Sequence, residues 1–318
     1  MPELMIEVKG LTKYYGDHLA VDDISFEVKK GEVVGFLGPN GSGKTTTMRI
    51  LTGYLPPSSG SASIAGFDTM TSSLDARRHI GYLPETVPLY TDMTVEDYLR
   101  FLGTIRGMRK DRLKIRIDNA IERVKLGDYR KSFISKLSKG YRQRTGLAQA
   151  ILHEPEVLIL DEPTVGIDPI QVVETRQLIK ELGQEQTLLL STHILPEVSA
   201  TCDRVIIINE GNIVAEDTPD NLAVRLRGTE QVQADIRGPS AEVIKAIRDI
   251  PGVTSARHIE TATGSRYNIE SASGNDVREA VATMVVNNSW GLLQLSVVPM
   301  SLEEIFLELT GGEEHEDA

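Results

Sequence analysis

The sequence predicts an α/β fold built on a mainly parallel sheet, followed by a smaller α+β domain. A buried strand, a glycine-rich loop and a helix follow one another at residues 33–51, and strands and helices alternate again from residue 140. Near residue 230 the pattern changes to strand, helix, two strands, helix and strand. We therefore expect one domain at residues 1–229, a second at 230–310 and an acidic tail at 311–318.

The elements of the first domain follow from clusters of β-forming residues and from helical spacing. Apolar residues at helical spacing from Val95 to Val124 predict a helical subdomain at about residues 86–152. A helix that starts near residue 140 ends before Pro155. The other expected elements are strands at 5–9, 19–28, 33–37, 157–160 and 187–191, a hairpin at 205–214, and helices at 45–51 and 169–183.

The smaller domain has a βαββαβ order, with Pro251-Gly252 and Ser273-Gly274 separating its elements. An amphipathic segment at Leu302–Leu309 is expected to pack back onto this domain. The expected elements are strands near 232–236, 253–258, 267–270 and 292–298, and helices near 240–249 and 275–287.

Composition and charge restrict the class of protein and its partners. The chain has 318 residues, of which 40% are hydrophobic and 25% charged, and these fractions are in the normal range for globular proteins. Its formal net charge is −12. From residue 230 onward, 6 basic residues stand against 15 acidic ones, a balance of −9 that leaves −3 for the first 229 residues. Because binding to a nucleic-acid backbone requires positive potential, we expect no direct nucleic-acid partner.

The sequence also lacks signals for membrane insertion and secretion. The longest unbroken aliphatic runs, such as Val157 to Leu160, are far shorter than the ~18 residues needed to cross a bilayer. The N-terminus has no basic region followed by an apolar stretch, so no secretory signal is expected. The single cysteine, Cys202, cannot form an internal disulfide. These features favour a cytosolic protein.

A P-loop motif predicts nucleotide binding. Residues 38–45 match the pattern G-x-x-x-x-G-K-[ST], and they stand after a buried strand and before a helix, as the mechanism requires. Glycines allow backbone N–H groups to surround phosphates, Lys44 reaches the β- and γ-phosphate oxygens, and the Thr45 hydroxyl can ligate Mg²⁺. The residues expected to hold the nucleotide are Gly38, Pro39, Asn40, Gly41, Ser42, Gly43, Lys44, Thr45 and Thr46.

Two carboxylates follow the aliphatic strand 157–160, which places Asp161 at the carboxyl edge of the sheet beside the P-loop. Two acids at a strand end are commonly solvated surface residues, but next to a P-loop they indicate catalysis. Asp161 suits the Mg²⁺ side of the site. Glu162, one residue further, suits the group that orients or deprotonates the attacking water.

Together these motifs resemble those of the nucleotide-binding subunit of an ABC transporter, in the right order across residues 4 to about 228. Leu137-Ser-Lys-Gly-Tyr141 is similar to the ABC signature Leu-Ser-Gly-Gly-Gln. The resemblance implies that Ser138 and the Gly140 N–H contact the γ-phosphate of ATP held by a second subunit. It further implies that Asp168 lies in the D-loop, that His193 is the switch histidine, and that Tyr15, with Tyr14 as the alternative, stacks on adenine.

Three residues depart from the family pattern. Lys139 replaces the usual signature glycine and Tyr141 the usual glutamine, while Glu85 replaces the usual glutamine of the Q-loop. Glu85 offers an oxygen to Mg²⁺, with Thr45 and Asp161, and also adds a negative charge beside the phosphates. These departures resemble the ABC-2, drug-export branch, which includes gliding-associated members and commonly carries a C-terminal extension.

The resemblance implies an ATPase subunit that uses ATP and Mg²⁺ to power export through a separate transmembrane permease of the ABC-2 kind. It would lie at the cytoplasmic face of the cell membrane and work as a dimer of two ATPase subunits, expected to be a homodimer. The alternative is a soluble ABC ATPase acting on ribosomes or nucleic acid, which normally carries two cassettes or a long coiled coil. In a third interpretation the C-terminal domain is a small-molecule sensor that gates the ATPase. The alternative role for this domain is a dimerisation or bracing module.

Overall fold

The computed structural model describes residues 3–219, 221–222, 229–261, 264–272 and 275–298. The chain divides into two compact units, residues 1–219 and 220–318. The domain bounds expected from the sequence, with a division at residue 229, stay a prediction. The amphipathic segment Leu302–Leu309 and the acidic tail at 311–318 lie outside the described residues.

The first unit contains strands and helices that alternate along most of its length. Its strands are β1 (Leu4–Tyr15), β2 (His18–Lys29), β3 (Val33–Leu37), β4 (Ser59–Ile64), β5 (Phe67–Asp68), β6 (Ile80–Leu83), β7 (Val157–Asp161), β8 (Thr187–Thr192), β9 (Arg204–Asn209) and β10 (Asn212–Asp217). Its helices are α1 (Lys44–Leu51), α2 (Ser73–Arg78), α3 (Val95–Ile105), α4 (Lys110–Arg123), α5 (Lys139–Ile151), α6 (Pro169–Gly183) and α7 (Leu195–Thr201).

Two sheets organise this unit. The larger sheet has the order β10-β9-β3-β8-β7-β6 and is parallel except for the β9–β10 hairpin. The second sheet, β2-β1-β4-β5, is antiparallel. Apolar residues from both sheets and from α1 form one buried cluster, which includes Ile6, Phe26, Phe36, Met48 and Ile206. The mainly parallel α/β class predicted from the sequence is confirmed.

The larger sheet positions its strand ends for a site. Strands β3, β7 and β8 are adjacent and parallel, so their carboxyl ends, at Leu37, Asp161 and Thr192, meet at one edge. Strands β3 and β7 are buried at every residue, as their aliphatic composition requires in the interior of a parallel sheet. Chain segments that follow these strands therefore meet in space, as in other open α/β sheets.

The helical subdomain lies between β6 and β7 along the chain. Helix α3 begins at Thr94, whose hydroxyl accepts a hydrogen bond from the Asp97 N–H, and it buries Leu99. Helix α4 buries Leu113 and Ile117 on one face, at the spacing of an amphipathic helix. The helical character predicted for residues 94–126 is thus confirmed.

The described part of the second unit contains a four-stranded antiparallel sheet and two helices. Its elements are β11 (Thr229–Arg237), α8 (Ser240–Arg248), β12 (Val253–Thr261), β13 (Gly264–Ala272), α9 (Arg278–Asn287) and β14 (Gly291–Val298). The strand order is β12-β13-β11-β14. Buried residues from the sheet and both helices, such as Val232, Ile247, Tyr267 and Val281, form its core. The βαββαβ order predicted from the sequence is confirmed.

The described part of the chain contains no helix with both the length and the apolar character needed to cross a membrane.

Candidate nucleotide site

The P-loop leads from β3 into the first turn of α1, and its glycines are required by close packing. A Cβ atom at Gly38 would lie 2.3 Å from the carbonyl oxygen of Ile208 on β9. Gly43 precedes α1 with φ of 107°, and a Cβ there would lie 2.6 Å from the carbonyl oxygen of Ala20. Only glycine meets both constraints, so the loop is pressed against its neighbours directly before the helix N-terminus, where anions are favoured.

Lys44 is buried in this loop, with 5% of its surface exposed. Its Nζ donates hydrogen bonds to the carbonyl oxygens of Gly38 at 2.8 Å and Pro39 at 3.1 Å, and it lies 3.5 Å from Oε1 of Glu162. Burial lowers the pKa of Lys44, and the charge of Glu162 acts in the opposite direction. The ammonium group is therefore held by loop carbonyls and a carboxylate.

Asp161 ends β7 and is fully buried. Its Oδ1 accepts hydrogen bonds from the hydroxyls of Thr45, at 3.4 Å, and Ser191, whereas its Oδ2 is buried without a hydrogen-bond partner in the described part of the chain. Burial raises the pKa of Asp161 against the effect of the two hydroxyls, and the charges of Glu162 and Glu85 add to the increase. A buried carboxylate oxygen with a free lone pair beside a hydroxyl suits a hard divalent cation.

Glu162 has a backbone conformation that is rare for a residue with a side chain, with φ of 49°. Its N–H donates to the Ser191 carbonyl oxygen at 3.0 Å, and its carboxylate, 6% exposed, has both oxygens 3.0 Å from Nδ1 of His193. His193 directly follows β8 and is partly exposed. The turn after β7 thus aims Glu162 between the P-loop lysine and the histidine.

One cavity of about 390 Å³ collects most of the residues predicted for the site. The lining residues are Tyr15, His18, Ala20, Asn40, Gly41, Gly43, Lys44, Thr45, Thr46, Glu85, Glu162, Val165 and His193. Gly38 and Pro39 contribute through their carbonyl groups to Lys44. A neighbouring cavity of about 750 Å³ also has Tyr15, Thr45, Glu85 and Asp161 on its wall. Ser42, 2% exposed, has a hydroxyl without a hydrogen-bond partner in the described chain.

Of the two tyrosines proposed for adenine, Tyr15 lines the cavity and Tyr14 is not among its lining residues. The Tyr15 side chain is 44% exposed, and Nζ of Lys13 lies 5.5 Å from the centre of its ring. An accessible aromatic ring at the wall of a cavity can stack on a base. Tyr15 is not packed in the core, so its ring can do so without rearrangement.

The residues predicted to form the signature and the D-loop lie elsewhere on the same unit. Ser138 caps α5, with its hydroxyl accepting from the Tyr141 N–H, and Gly140 is buried in the first turn. Asp168 caps α6 in the same way, its carboxylate accepting from the Gln171 N–H at 3.0 Å. Ser138, Gly140 and Asp168 are not among the residues that line the cavity. One chain therefore does not bring these residues to its own P-loop.

Several residues of the site region were not predicted from the sequence, among them the cavity-lining residues His18, Ala20 and Val165. Ser191 donates to Asp161, and Glu197 on α7, 1% exposed, accepts hydrogen bonds from the hydroxyls of Thr164 and Thr192. Thr164 precedes the D-loop residue Asp168, and Thr192 precedes His193. The sequence gives no signal for Glu197, because its burial and its hydrogen-bond partners are apparent only in the structure.

Comparison with known proteins gives consistent matches. Residues 21–165 match the family described as ABC transporter. The linearmycin resistance ATP-binding protein of Bacillus subtilis (strain 168) is 34% identical over 310 residues, which cover 96% of this chain and 98% of that protein. The bacitracin transport ATP-binding protein of Bacillus licheniformis is 35% identical over 310 residues, covering 97% of this chain and 98% of that protein.

Solved structures match about two thirds of the chain in fold. An ATP-binding subunit of an ABC transporter is 32% identical with a TM-score of 0.63, covering 70% of this chain and 92% of that one. A dimeric bacterial ABC transporter cassette is 25% identical with a TM-score of 0.62, covering 67% of this chain and 98% of that one.

Proposed function

This chain belongs to the ABC transporter family as an ATP-binding subunit with ATPase activity, and on that basis we propose that it drives export through a separate membrane permease. The observation that carries the catalytic part of this proposal is the cluster of Lys44, Glu162 and His193 around one cavity behind the P-loop. The proposed cassette spans residues 1–229, with the C-terminal domain at 230–310.

In the proposed site, the P-loop and Lys44 bind the ATP phosphates and Tyr15 stacks on the base. Lys44 now points at two carbonyl oxygens and at Glu162, all of which can be replaced by phosphate oxygens. Phosphate binding would thus draw Lys44 away from Glu162 and leave that carboxylate free to accept a proton from the attacking water. The buried unpartnered hydroxyl of Ser42 is a further donor in this loop.

We also propose that Thr45, Asp161 and Glu85 hold Mg²⁺. Support comes from the Asp161 carboxylate, whose Oδ1 accepts from the Thr45 hydroxyl and whose Oδ2 has no partner in the described chain, and from Glu85, which lines the cavity of about 750 Å³ together with Thr45 and Asp161. When bound, Mg²⁺ would offset negative charge on the phosphates. Glu85 is exposed, which agrees with a side chain that reaches the ion only when nucleotide is present.

His193 is proposed to act between the nucleotide and the base. Its Nδ1 faces both oxygens of Glu162, so its Nε2 is left for the γ-phosphate. Glu162 is proposed as the catalytic base, since it is the nearly buried carboxylate that the P-loop lysine and the histidine both contact.

A complete site is proposed to need two copies of the chain. Ser138, Gly140 and Asp168 lie away from the cavity of their own chain, and the family resemblance assigns them to the γ-phosphate in the opposite subunit. Two ATP molecules would hold a homodimer together, and hydrolysis would release it. The two relatives are named for linearmycin resistance and bacitracin transport, which supports export of a small molecule by this chain as well.

The experiment that tests this proposal uses the Glu162→Gln variant, which keeps the shape of the side chain and removes its basicity. We expect it to bind ATP, form a stable dimer in size-exclusion chromatography with light scattering, and lose turnover. Glu181→Gln, at an exposed position on α6, is the matched control and should behave as the parent chain. Normal hydrolysis by Glu162→Gln would exclude Glu162 as the base.

The transport part is tested separately, by mass spectrometry of proteins that co-purify with the chain from mildly solubilised membranes. A stoichiometric membrane protein with several spans is the expected result, and it would place the chain at the cytoplasmic face of the membrane. Recovery of ribosomal or nucleic-acid-bound partners alone would favour the soluble ABC ATPase instead.

A further inference from the structure

The nucleotide cavity holds more negative than positive charge. Glu85, Glu162 and the adjacent Asp161 provide three carboxylates, whereas Lys44 is the buried cation among them. Glu85 forms no ion pair within the described part of the chain. ATP brings further negative charge to this place, so binding it favours any additional cation that can approach.

Lys139 is a basic residue without an electrostatic partner among the residues that the structure describes. It is exposed at the first position of α5, and it makes no ion pair or side-chain hydrogen bond with the residues that the structure describes. Arg142, the next basic residue on α5, differs because it donates to the carbonyl oxygens of Ile134 and Ser135. The charge of Lys139 is therefore available to a partner.

The place of Lys139 is electrostatically unfavourable in the isolated chain. A helix N-terminus carries partial positive charge, and the first turn of α5 contains no acidic residue that would offset it. The ammonium group extends toward the D-loop, since a Cβ atom at Gly166 would lie 2.1 Å from Lys139 Nζ. Lys139, which stands between Ser138 and Gly140 in sequence, thus adds positive charge to the N-terminus of α5, which is already positive. An anion bound there would reduce the repulsion between the ammonium group and the helix dipole.

We propose that Lys139 crosses the dimer interface and offsets the charge of Glu85 in the partner's nucleotide cavity by contacting the terminal phosphate of the ATP bound there. The inference rests on the proposed function, which places Ser138 and Gly140, on either side of Lys139, at the partner's γ-phosphate. The charges of the two residues then offset each other in one composite site. Glu85 contributes a negative charge from the subunit whose P-loop binds the ATP, and Lys139 contributes a positive charge from the opposite subunit.

The pair is tested by a double-mutant cycle with dimerisation as the readout. All proteins carry Glu162→Gln, and the dimer dissociation constant in saturating ATP and Mg²⁺ is measured by analytical ultracentrifugation. Lys139→Ala should raise that constant by about 10- to 100-fold, the range for loss of a hydrogen bond to a charged group. Lys139→Arg should keep dimerisation within about threefold of the parent.

The second arm removes the negative charge. With Glu85→Gln present, Lys139→Ala should raise the dissociation constant by less than about threefold, because the phosphate site no longer needs the extra cation. Lys180→Ala, which removes an exposed cation at the far end of α6, controls for bulk charge and should leave the constant unchanged. ATP affinity of the monomer, measured at low protein concentration with a fluorescent analogue, should be the same in Lys139→Ala and the parent.

The outcomes separate the inference from the proposed function. If the Glu162→Gln parent binds ATP but does not dimerise, the proposed dimer fails and the inference with it. If the parent dimerises and Lys139→Ala dimerises equally well, only the inference is overturned. A Lys139→Ala defect of equal size with Glu85 and with Gln at position 85 would also overturn it, since Lys139 would then act independently of Glu85.

Discussion

Glu162 presents both of its carboxylate oxygens to one nitrogen of His193, each 3.0 Å from Nδ1. The contact joins the ends of β7 and β8, and it depends on the left-handed backbone of Glu162, whose φ is 49°. Nδ1 must carry the proton in this contact, since a carboxylate only accepts. The arrangement fixes the histidine tautomer and leaves the opposite edge of the ring for another group.

We expect His193→Ala to lower ATP turnover by about 100-fold or more, in the range typical for a positioned acid–base group. ATP affinity of the monomer should change little, because the P-loop and Tyr15 remain. Turnover measured by phosphate release, together with ATP titration, checks both statements. His79→Ala is the control, since His79 packs against Phe67 and is not among the residues that line the cavity. Near-parental turnover in His193→Ala would remove the histidine from the mechanism.

Asp161→Asn should separate metal binding from stability. Burial raises the pKa of Asp161, which means that the ionised carboxylate is less stable in the folded chain than in the unfolded chain. A neutral amide should therefore raise the free energy of unfolding by about 1 kcal/mol in the absence of nucleotide. The same change should weaken the Mg²⁺ dependence of ATP binding by about tenfold or more. Calorimetric Mg²⁺ titration and urea denaturation measure the two effects, and an unchanged Mg²⁺ dependence would contradict the metal assignment.

Glu197→Gln tests the contact that joins Thr164, after β7, to Thr192 at the end of β8. Thr164 and Thr192 both donate to the Glu197 carboxylate, so an amide leaves one of two hydroxyl donors facing an NH₂ group in a buried position. We expect a loss of about 1 to 3 kcal/mol in the free energy of unfolding, from the cost of an unsatisfied buried polar group. As a positioning residue, Glu197 should affect turnover more than monomer ATP affinity. Equal stability of Glu197→Gln and the exposed control Glu181→Gln would contradict this interpretation.

The sequence was most informative where function depends on local backbone. The P-loop could be predicted because its glycines are required by contacts that any such loop makes, as Gly38 and Gly43 show. Residues 52–93 were less informative: β4 reads Ser-Gly-Ser-Ala-Ser-Ile and is exposed over its first half, and β6 is only four residues long. Neither segment offers the repeated apolar spacing from which strands are recognised.

Some site residues could not be recognised from sequence patterns, because they act through contacts between elements that are distant in sequence. Ser191 reaches Asp161 because β7 and β8 are adjacent in the sheet, and Glu197 reaches Thr164 because α7 packs beside the segment that follows β7. A serine inside a strand and an acid on a helix carry no distinguishing spacing. Their position follows from the order of strands, which a single sequence only partly constrains.

Truncation tests the proposed domain bounds. The buried apolar clusters of the two units are separate sets: one includes Ile6 and Ile206, the other Val232 and Val281. A chain ending at residue 229 should therefore fold, bind ATP and unfold in one cooperative transition. A second truncation at residue 219, the end of the first compact unit, tests whether residues 220–229 contribute. Aggregation of both truncated chains, with the full chain stable, would contradict an independent cassette.

His153 couples the stability of the cassette to pH. Its Nε2 lies 2.9 Å from the carbonyl oxygen of Ile80, which can only accept, so Nε2 carries the proton. Its Nδ1 is buried and has no hydrogen-bond partner in the described part of the chain. Burial, and then the positive charge of Arg106, lower the pKa of His153 to about 4. A second proton on the ring, at Nδ1, would also have no acceptor in the part of the chain that the structure describes.

In the unfolded chain the pKa of His153 is near 6.5, so between that pH and about 4 the unfolded state binds the extra proton and the folded state does not. The contribution of the neutral His153 to the free energy of unfolding is therefore fully present above pH 6.5 and is lost as the pH falls toward 4. From pH 7 to pH 5 we expect this residue to account for a loss of about 2 kcal/mol in the free energy of unfolding. His153→Gln keeps a donor for Ile80 and does not titrate, so urea denaturation should show it losing about 2 kcal/mol less than the parent over that interval. Parallel losses in the two proteins would mean that His153 is not the group that couples folding to pH.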